Sequence, residues 1–251
     1  SFFDSILLFK FAGDRAVGLY QIPFKIIVAI QFLPMAFTAS LYPAMSAYWQ
    51  RNREQLRITF ERAITYSLII GVPIMIGTIV LADQLILLFK EGYAEAIIPL
   101  QVSMIAVPFM FLSFPIGSLL NACDRQKRNT VNIVLTAITS ALLNFYLIPR
   151  LGVIGACITT VVTSMGMIVL GLLVVPEIIT MRIMKLIGVM LKIVAAGILM
   201  GIAVSYLKHI VAPVVTIPLA SVIYAAALFL FRGFTTEDIK SILASFRKKT
   251  A

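Results

Sequence analysis

Apolar runs of bilayer-spanning length follow one another almost end to end, separated by short loops that are alternately rich and poor in Lys and Arg. A hydrocarbon core about 30 Å thick is crossed by about 20 apolar residues in a helix. No water there satisfies exposed backbone, so each run must close its own hydrogen bonds as a helix. Eight segments fit this description: a short one at 1–12, then 19–45, 63–81, 96–120, 131–148, 153–175, 187–207 and 213–231. The residue usage agrees. The chain is 61% hydrophobic and 13% charged, against roughly 45–50% and about 25% in soluble domains. A soluble enzyme, a disordered chain, collagen and a secreted disulfide scaffold are excluded. The expected fold is an all-α membrane protein, a multi-span helical bundle.

The formal net charge of +10 would suggest nucleic acid in a soluble domain. Here the basic residues sit between spans, where they set topology, and no nucleic-acid partner is expected. One set of loops carries Arg51, Arg53, Arg57 and Arg62, then Arg125, Lys127 and Arg128, then Arg182 and Lys185. The tail adds Arg232, Lys240, Arg247, Lys248 and Lys249 to the same side. The other side holds Arg15, Lys90, Arg150 and Lys208, so the bias is fourteen to four. It alternates in phase with the spans and puts the basic face, with the C-terminus, in the cytoplasm. The sequence starts at Ser inside an apolar run, with no signal peptide ahead of it, which reads as a fragment whose N-terminal part is missing. Residues 235–238, Thr-Thr-Glu-Asp, have the look of a helix N-terminus, and the tail is expected to lie along the interface. Cys123 and Cys157 fall at the ends of different spans on opposite sides, so neither a disulfide nor a metal site is expected. No phosphate loop, paired His/Cys spacing or nucleophile elbow occurs, and the chain reads as neither an enzyme nor a cofactor carrier.

Charges within spans are costly, about 2.5–3.5 kcal/mol each on insertion scales. Lys10 and Lys192 lie near span ends and can snorkel to the interface. Asp4 lies about 13 Å before Gly13, and Lys25 about 10 Å beyond Gly18, at the helical rise per residue. If 13–18 forms a tight loop, the two charges reach similar depth on antiparallel neighbours. They are expected to approach each other or share a wet cavity, either as an ion pair that pins two helices or as a cation facing an anionic substrate. The fifth span has a second pattern. Asn132, Thr136, Ser140 and Asn144 recur every four residues, with Asn129 just upstream, and so stack on one face. That face must meet a helix or water rather than lipid tails; hydrogen-bond glue and a hydrated path both satisfy it. Thr159, Thr160, Thr163 and Ser164 continue the theme weakly in the next span. Pro34, Pro73, Pro108, Pro115 and Pro218 sit inside spans, where each removes a helical hydrogen bond and bends its helix. His209, the single histidine, reads as an interfacial residue.

Several stretches resemble a known family. Asp4-Ser-Ile-Leu-Leu, Ala16-Val-Gly-Leu-Tyr, Lys25-Ile and Pro43-Ala-Met-Ser are similar to the seventh and eighth helices of polysaccharide exporters and lipid-linked oligosaccharide flippases. These belong to the multidrug/oligosaccharidyl-lipid/polysaccharide superfamily. Leu143-Asn-Phe-Tyr-Leu-Ile-Pro with Gly152-Val-Ile-Gly-Ala resembles the passage between helices eleven and twelve. Ala82-Asp-Gln-Leu-Ile and Gly92-Tyr-Ala-Glu-Ala resemble an outer segment of the same proteins. The resemblance implies the C-terminal lobe of a fourteen-helix flippase-like transporter, helices seven to fourteen. It implies a six-helix lobe at 1–175, an added helix pair at 176–231 with a groove for a lipid tail, and a tail at 232–251. It further implies a plasma-membrane protein that exports a polyprenyl-pyrophosphate-linked oligosaccharide by alternating access, with the N-terminal half of the same protein as partner. Lys25 would then meet the pyrophosphate, Asp4 would gate or balance charge, and Asn132, Thr136, Ser140 and Asn144 would form a sugar-facing wall. A cation-coupled drug antiporter of the same superfamily, and a non-transporting scaffold of a polysaccharide-synthesis complex, remain as alternatives.

Overall fold

The computed structural model describes residues 2–89, 91–208, 210 and 213–231. Lys90, His209 and the 232–251 tail, with its expected interfacial helix, lie outside the described residues. Nine α-helices are described: α1 (Phe2–Arg51), α2 (Arg53–Val80), α3 (Ala82–Phe89), α4 (Ile97–Met104), α5 (Val107–Ala122), α6 (Gln126–Leu151), α7 (Val153–Val174), α8 (Ile183–Leu207) and α9 (Pro213–Leu230). Short 3-10 turns at Glu91–Ala96 and Val175–Glu177 link α3 to α4 and follow α7. Among the described residues there is no strand. Six helical stretches are long and apolar enough to cross a membrane, and α9 is a shorter apolar helix. The chain is an integral multi-pass membrane protein.

α1 is two antiparallel arms rather than one rod. Gly13, at φ 79° and ψ 178°, interrupts the helix with a backbone conformation that residues bearing a Cβ rarely adopt. Sixteen residues of straight helix would hold Asp4 and Tyr20 about 24 Å apart. Instead the Tyr20 hydroxyl donates to Asp4 Oδ2 at 3.0 Å, and Gln21 Nε2 donates to Ser5 Oγ at 3.2 Å. The chain therefore doubles back on a single residue, and the helix restarts at Asp14, earlier than the loop expected at 13–18. The fourth span is also divided. Pro108 has no N–H to close onto Met104, and the helix opens at Ile105 and Ala106, whose N–H groups turn back to Val102 and Ser103. Pro34, Pro73, Pro115 and Pro218 are carried inside their helices.

α2 runs through the middle of the bundle, against α5 on one side and α8 on another. Phe60, Leu68, Val72, Leu119, Ile193, Ala196, Met200 and Tyr224 join one apolar core shared by α2, α5, α8 and α9. The α2–α8 contact rests on Gly197 and Gly201, four residues apart on one face of α8. A Cβ at Gly197 would stand 2.7 Å from Ile76 Cδ1, and one at Gly201 would stand 2.7 Å from Ile76 Cγ2. Small residues at this spacing let membrane helices approach closely.

Polar contacts between loops respect the two faces read from the basic residues. Arg15 pairs with Glu95 at 2.9 Å, and Lys208 Nζ with Asp83 at 2.8 Å, all on the sparsely basic face. On the basic face, Trp49 Nε1 donates to Asp124 at 3.1 Å, Arg125 faces Glu177 at 3.7 Å, and the Arg182 N–H donates to Glu61 at 3.0 Å. The alternation of the spans is thus reproduced by contacts that played no part in counting it.

Candidate functional site

The polar face of α6 turns inward, because its other faces bear Ile133, Val134, Ile138, Leu142 and Phe145, all exposed apolar residues suited to lipid. All but Asn132, whose buried Nδ2 has no hydrogen-bond partner among the described residues, meet a different neighbour. Asn129 Nδ2 donates to Asn121 Oδ1 of α5 at 3.0 Å. The Thr136 hydroxyl donates to the Asn132 carbonyl at 2.7 Å and lies 3.5 Å from the Met167 sulfur of α7. Ser140 lines a cavity, and Asn144 Nδ2 donates to Asp4 Oδ1 at 2.8 Å. The stripe is glue at Asn129 and Asn144 and cavity wall at Ser140.

That cavity, of about 200 Å³, is lined by α1, α4, α5, α6 and α7. Asp4 and Tyr20 are on its wall with Gln31, Ser103, Ser140, Thr160, Thr163 and Ser164. Asp4 is 6% exposed and Asn144 1%, so the carboxylate is withdrawn from bulk solvent and held by a phenol and an amide. Asn144 Oδ1 has no hydrogen-bond donor, although a buried acceptor of this kind normally has one. One carboxylate among neutral oxygens is the donor set of hard cations. No group of three or more His, Cys, Asp or Glu side chains able to hold a metal occurs among the described residues. A second polar cavity, of about 370 Å³, lies toward the basic face along α1, α5 and α6. Thr38, Ser113, Ser118, Asn121 and Asn129 are among its lining.

Lys25 is elsewhere. It is exposed and joins none of the ion pairs among the described residues. The expected approach of Asp4 to Lys25 is not formed. With the turn confined to Gly13, Tyr20 is the residue level with Asp4, and Lys25 lies more than a full turn further along α1. The exposed face of α1 that bears Lys25 continues through Val28, Phe32 and Met35. Tyr20 was the partner to be read from the sequence, seven residues past a glycine capable of the turn. The α8 glycine pair, Gly197 and Gly201, is equally visible in the sequence as two small residues four apart.

An apolar groove of about 540 Å³ opens between α2, α8 and α9, walled by Ile69, Ile70, Pro73, Ile217, Ala220 and Tyr224 among others. Residues 1–148, more than half of the chain, match the MatE family. The chain belongs to that family. An uncharacterized membrane protein of Methanocaldococcus jannaschii, MJ1068, is 31% identical over 165 residues, covering 64% of this chain and 32% of its own length. The "Probable flippase AglR" of Haloferax volcanii is 24% identical over 168 residues, covering 65% of this chain and 35% of its own. The chain thus spans about a third of the curated relatives it matches. Among solved structures, the lipid II flippase MurJ in an inward closed conformation superposes with a TM-score of 0.73 at 17% identity. The match covers 89% of this chain and 49% of MurJ, so the fold is that of about half of MurJ.

Proposed function

We propose that this MatE-family chain is one lobe of a flippase that moves a polyprenyl-pyrophosphate-linked oligosaccharide from the cytoplasmic to the outer face of the plasma membrane. The second lobe is the N-terminal half of the same protein, and the C-terminus is cytoplasmic. The observation that carries the reading is Lys25, an unneutralised cation well inside a span, on a helix face that the lobe's own packing leaves open. A charge there is expensive, and an anionic headgroup passing between two lobes would offset it. The apolar groove between α2 and α9, of about 540 Å³, has the chemistry for a prenyl chain. Rocking of two repeats around a site near the midplane is the usual way such proteins alternate access.

The Asp4 cavity favours a cation-coupled version of the same cycle, and it is also the feature a drug antiporter would need. Lys25 is not among its lining, although Val28 of the same exposed face is, so substrate and coupling ion would occupy neighbouring places. The test is flipping of a fluorescent lipid-linked oligosaccharide by the intact gene product in proteoliposomes. Lys25→Ala should lower the rate about tenfold or more, the worth of one charged hydrogen-bonding contact, while Asp4→Asn should abolish its dependence on a cation gradient. Unchanged flipping by Lys25→Ala would remove the substrate assignment. A cation gradient driving drug export but no lipid flipping would favour the antiporter.

A further inference from the structure

On the basic face, away from both polar cavities, the start of α2 and the segment joining α7 to α8 enclose a pocket of about 500 Å³. Its charged lining consists of Arg53, Glu54, Arg57 and Arg182, over an apolar floor that includes Ile178 and Ile179. Arg57 is committed: it bonds Glu54 and reaches Glu61 at 3.9 Å. Arg53 and Arg182 are both exposed, and their guanidinium groups join no ion pair among the described residues; Arg182 meets Glu61 through its backbone N–H alone. The pocket therefore carries two uncompensated guanidinium groups.

Three features say what they would bind. The Arg53 guanidinium lies 3.1 Å from the centroid of the Trp49 ring. Stacking restrains it, while the N–H groups around its edge remain available, the arrangement suited to a phosphate. The α2 N-terminus opens on the same place, and Asn52 caps only the Gln55 N–H, leaving earlier amides of a 28-residue helix for an anion. Trp49 marks the level of the membrane interface, and exposed Leu173, Ile183 and Met184 beside the linker offer apolar surface to acyl chains.

We infer that this pocket holds the phosphate of an anionic phospholipid in the leaflet at the basic face. The site does not depend on the transport reading, because it shares no residue with Lys25, the Asp4 cavity or the prenyl groove. The bound phosphate joins the first turn of α2 to the α7–α8 linker, beside the contact that Glu61 already makes with Arg182.

Intact gene product in detergent is titrated with phosphatidylglycerol, with phosphatidylcholine and with inorganic phosphate, and bound molecules are counted by native mass spectrometry. One phosphatidylglycerol should be retained in preference to phosphatidylcholine. The Arg53→Gln/Arg182→Gln double variant should bind it roughly thirtyfold more weakly, from the usual contribution of two basic residues at an anionic surface. Lys127→Gln/Arg128→Gln, which removes two exposed charges from the same face, should change it little. Both pairs are exposed, so neither variant threatens folding, and unfolding curves check this. Displacement of the lipid by millimolar inorganic phosphate would keep the phosphate site and reassign its occupant to a soluble anion. Equal retention of phosphatidylglycerol by the parent and the Arg53/Arg182 variant would overturn the inference.

Discussion

Replacing Gly201 by Leu tests whether close approach of α8 to α2 holds the helix pair in place. A Cβ at Gly201 falls 2.7 Å from Ile76 Cγ2, about 1 Å inside an optimal carbon–carbon contact. Leucine adds three further carbons beyond that point, so α8 must tilt away from α2 or Ile76 must leave its rotamer. Overpacking of this kind costs about 1–3 kcal/mol. Better helix propensity than glycine returns up to about 1 kcal/mol, so a net loss of up to about 2 kcal/mol is expected. Ile76→Ala should also destabilise by itself, through lost packing. In the double variant the two losses should not add, because removing the isoleucine vacates the space the leucine needs. A coupling of at least about 1 kcal/mol is expected for residues in direct contact. Unfolding of the purified protein in mixed micelles, followed by Trp49 fluorescence, gives all four corners of the cycle. Additive losses would mean that α8 does not rest on Ile76 through Gly201, and the packing argument would fail.

Cysteine scanning along α6, after Cys123→Ala and Cys157→Ala, should find Ser140→Cys reactive toward a small water-soluble thiol reagent and Ile138→Cys inert. Equal labelling of both would deny that the Asp4 cavity is hydrated. Wild-type Cys123 should itself react slowly, since burial pushes its thiol up to about 11. The Asp83–Lys208 contact should depend on acidity. Burial alone would raise the Asp83 pKa, but hydrogen bonds from Lys208 and the Gln84 N–H outweigh it and hold it below 3.8. A carboxylate lowered on folding contributes stability above its ordinary pKa and loses it as pH falls through the lowered value. Protection of α8 amides from exchange should therefore fall below about pH 4, and Asp83→Asn should flatten that fall.

The number and alternation of the helices were legible because lipid permits few alternatives: apolar length gives the spans, and the basic residues give their phase. The inward turn of Asn132, Thr136, Ser140 and Asn144 was legible for the same reason. Which of the four would bond and which would face space was not, because that depends on where α1 and α7 stand. The partner of Asp4 was misread over five residues of turn. Two glycines at 13 and 18 offered a loop, and only the backbone reveals that one of them suffices. Residues 82–89, read as part of an outer loop, form α3, an apolar helix too short to register as a span. The pocket at Arg53 and Arg182 joins residues more than a hundred positions apart, and each read alone is one more topology charge.

The hairpin at Gly13 also bears on how the protein enters the membrane. Asp4 and Tyr20 belong to one pair of arms and can meet as soon as that pair has been made. Asn144 follows 140 residues after Asp4, on the order of ten seconds later at usual rates of synthesis. Through that interval the carboxylate already has a hydroxyl donor at hand, and the ribosome need not deliver a bare anion to the lipid. On this order of synthesis Tyr20 would reach Asp4 first, and Asn144 would complete the shell once the bundle has closed.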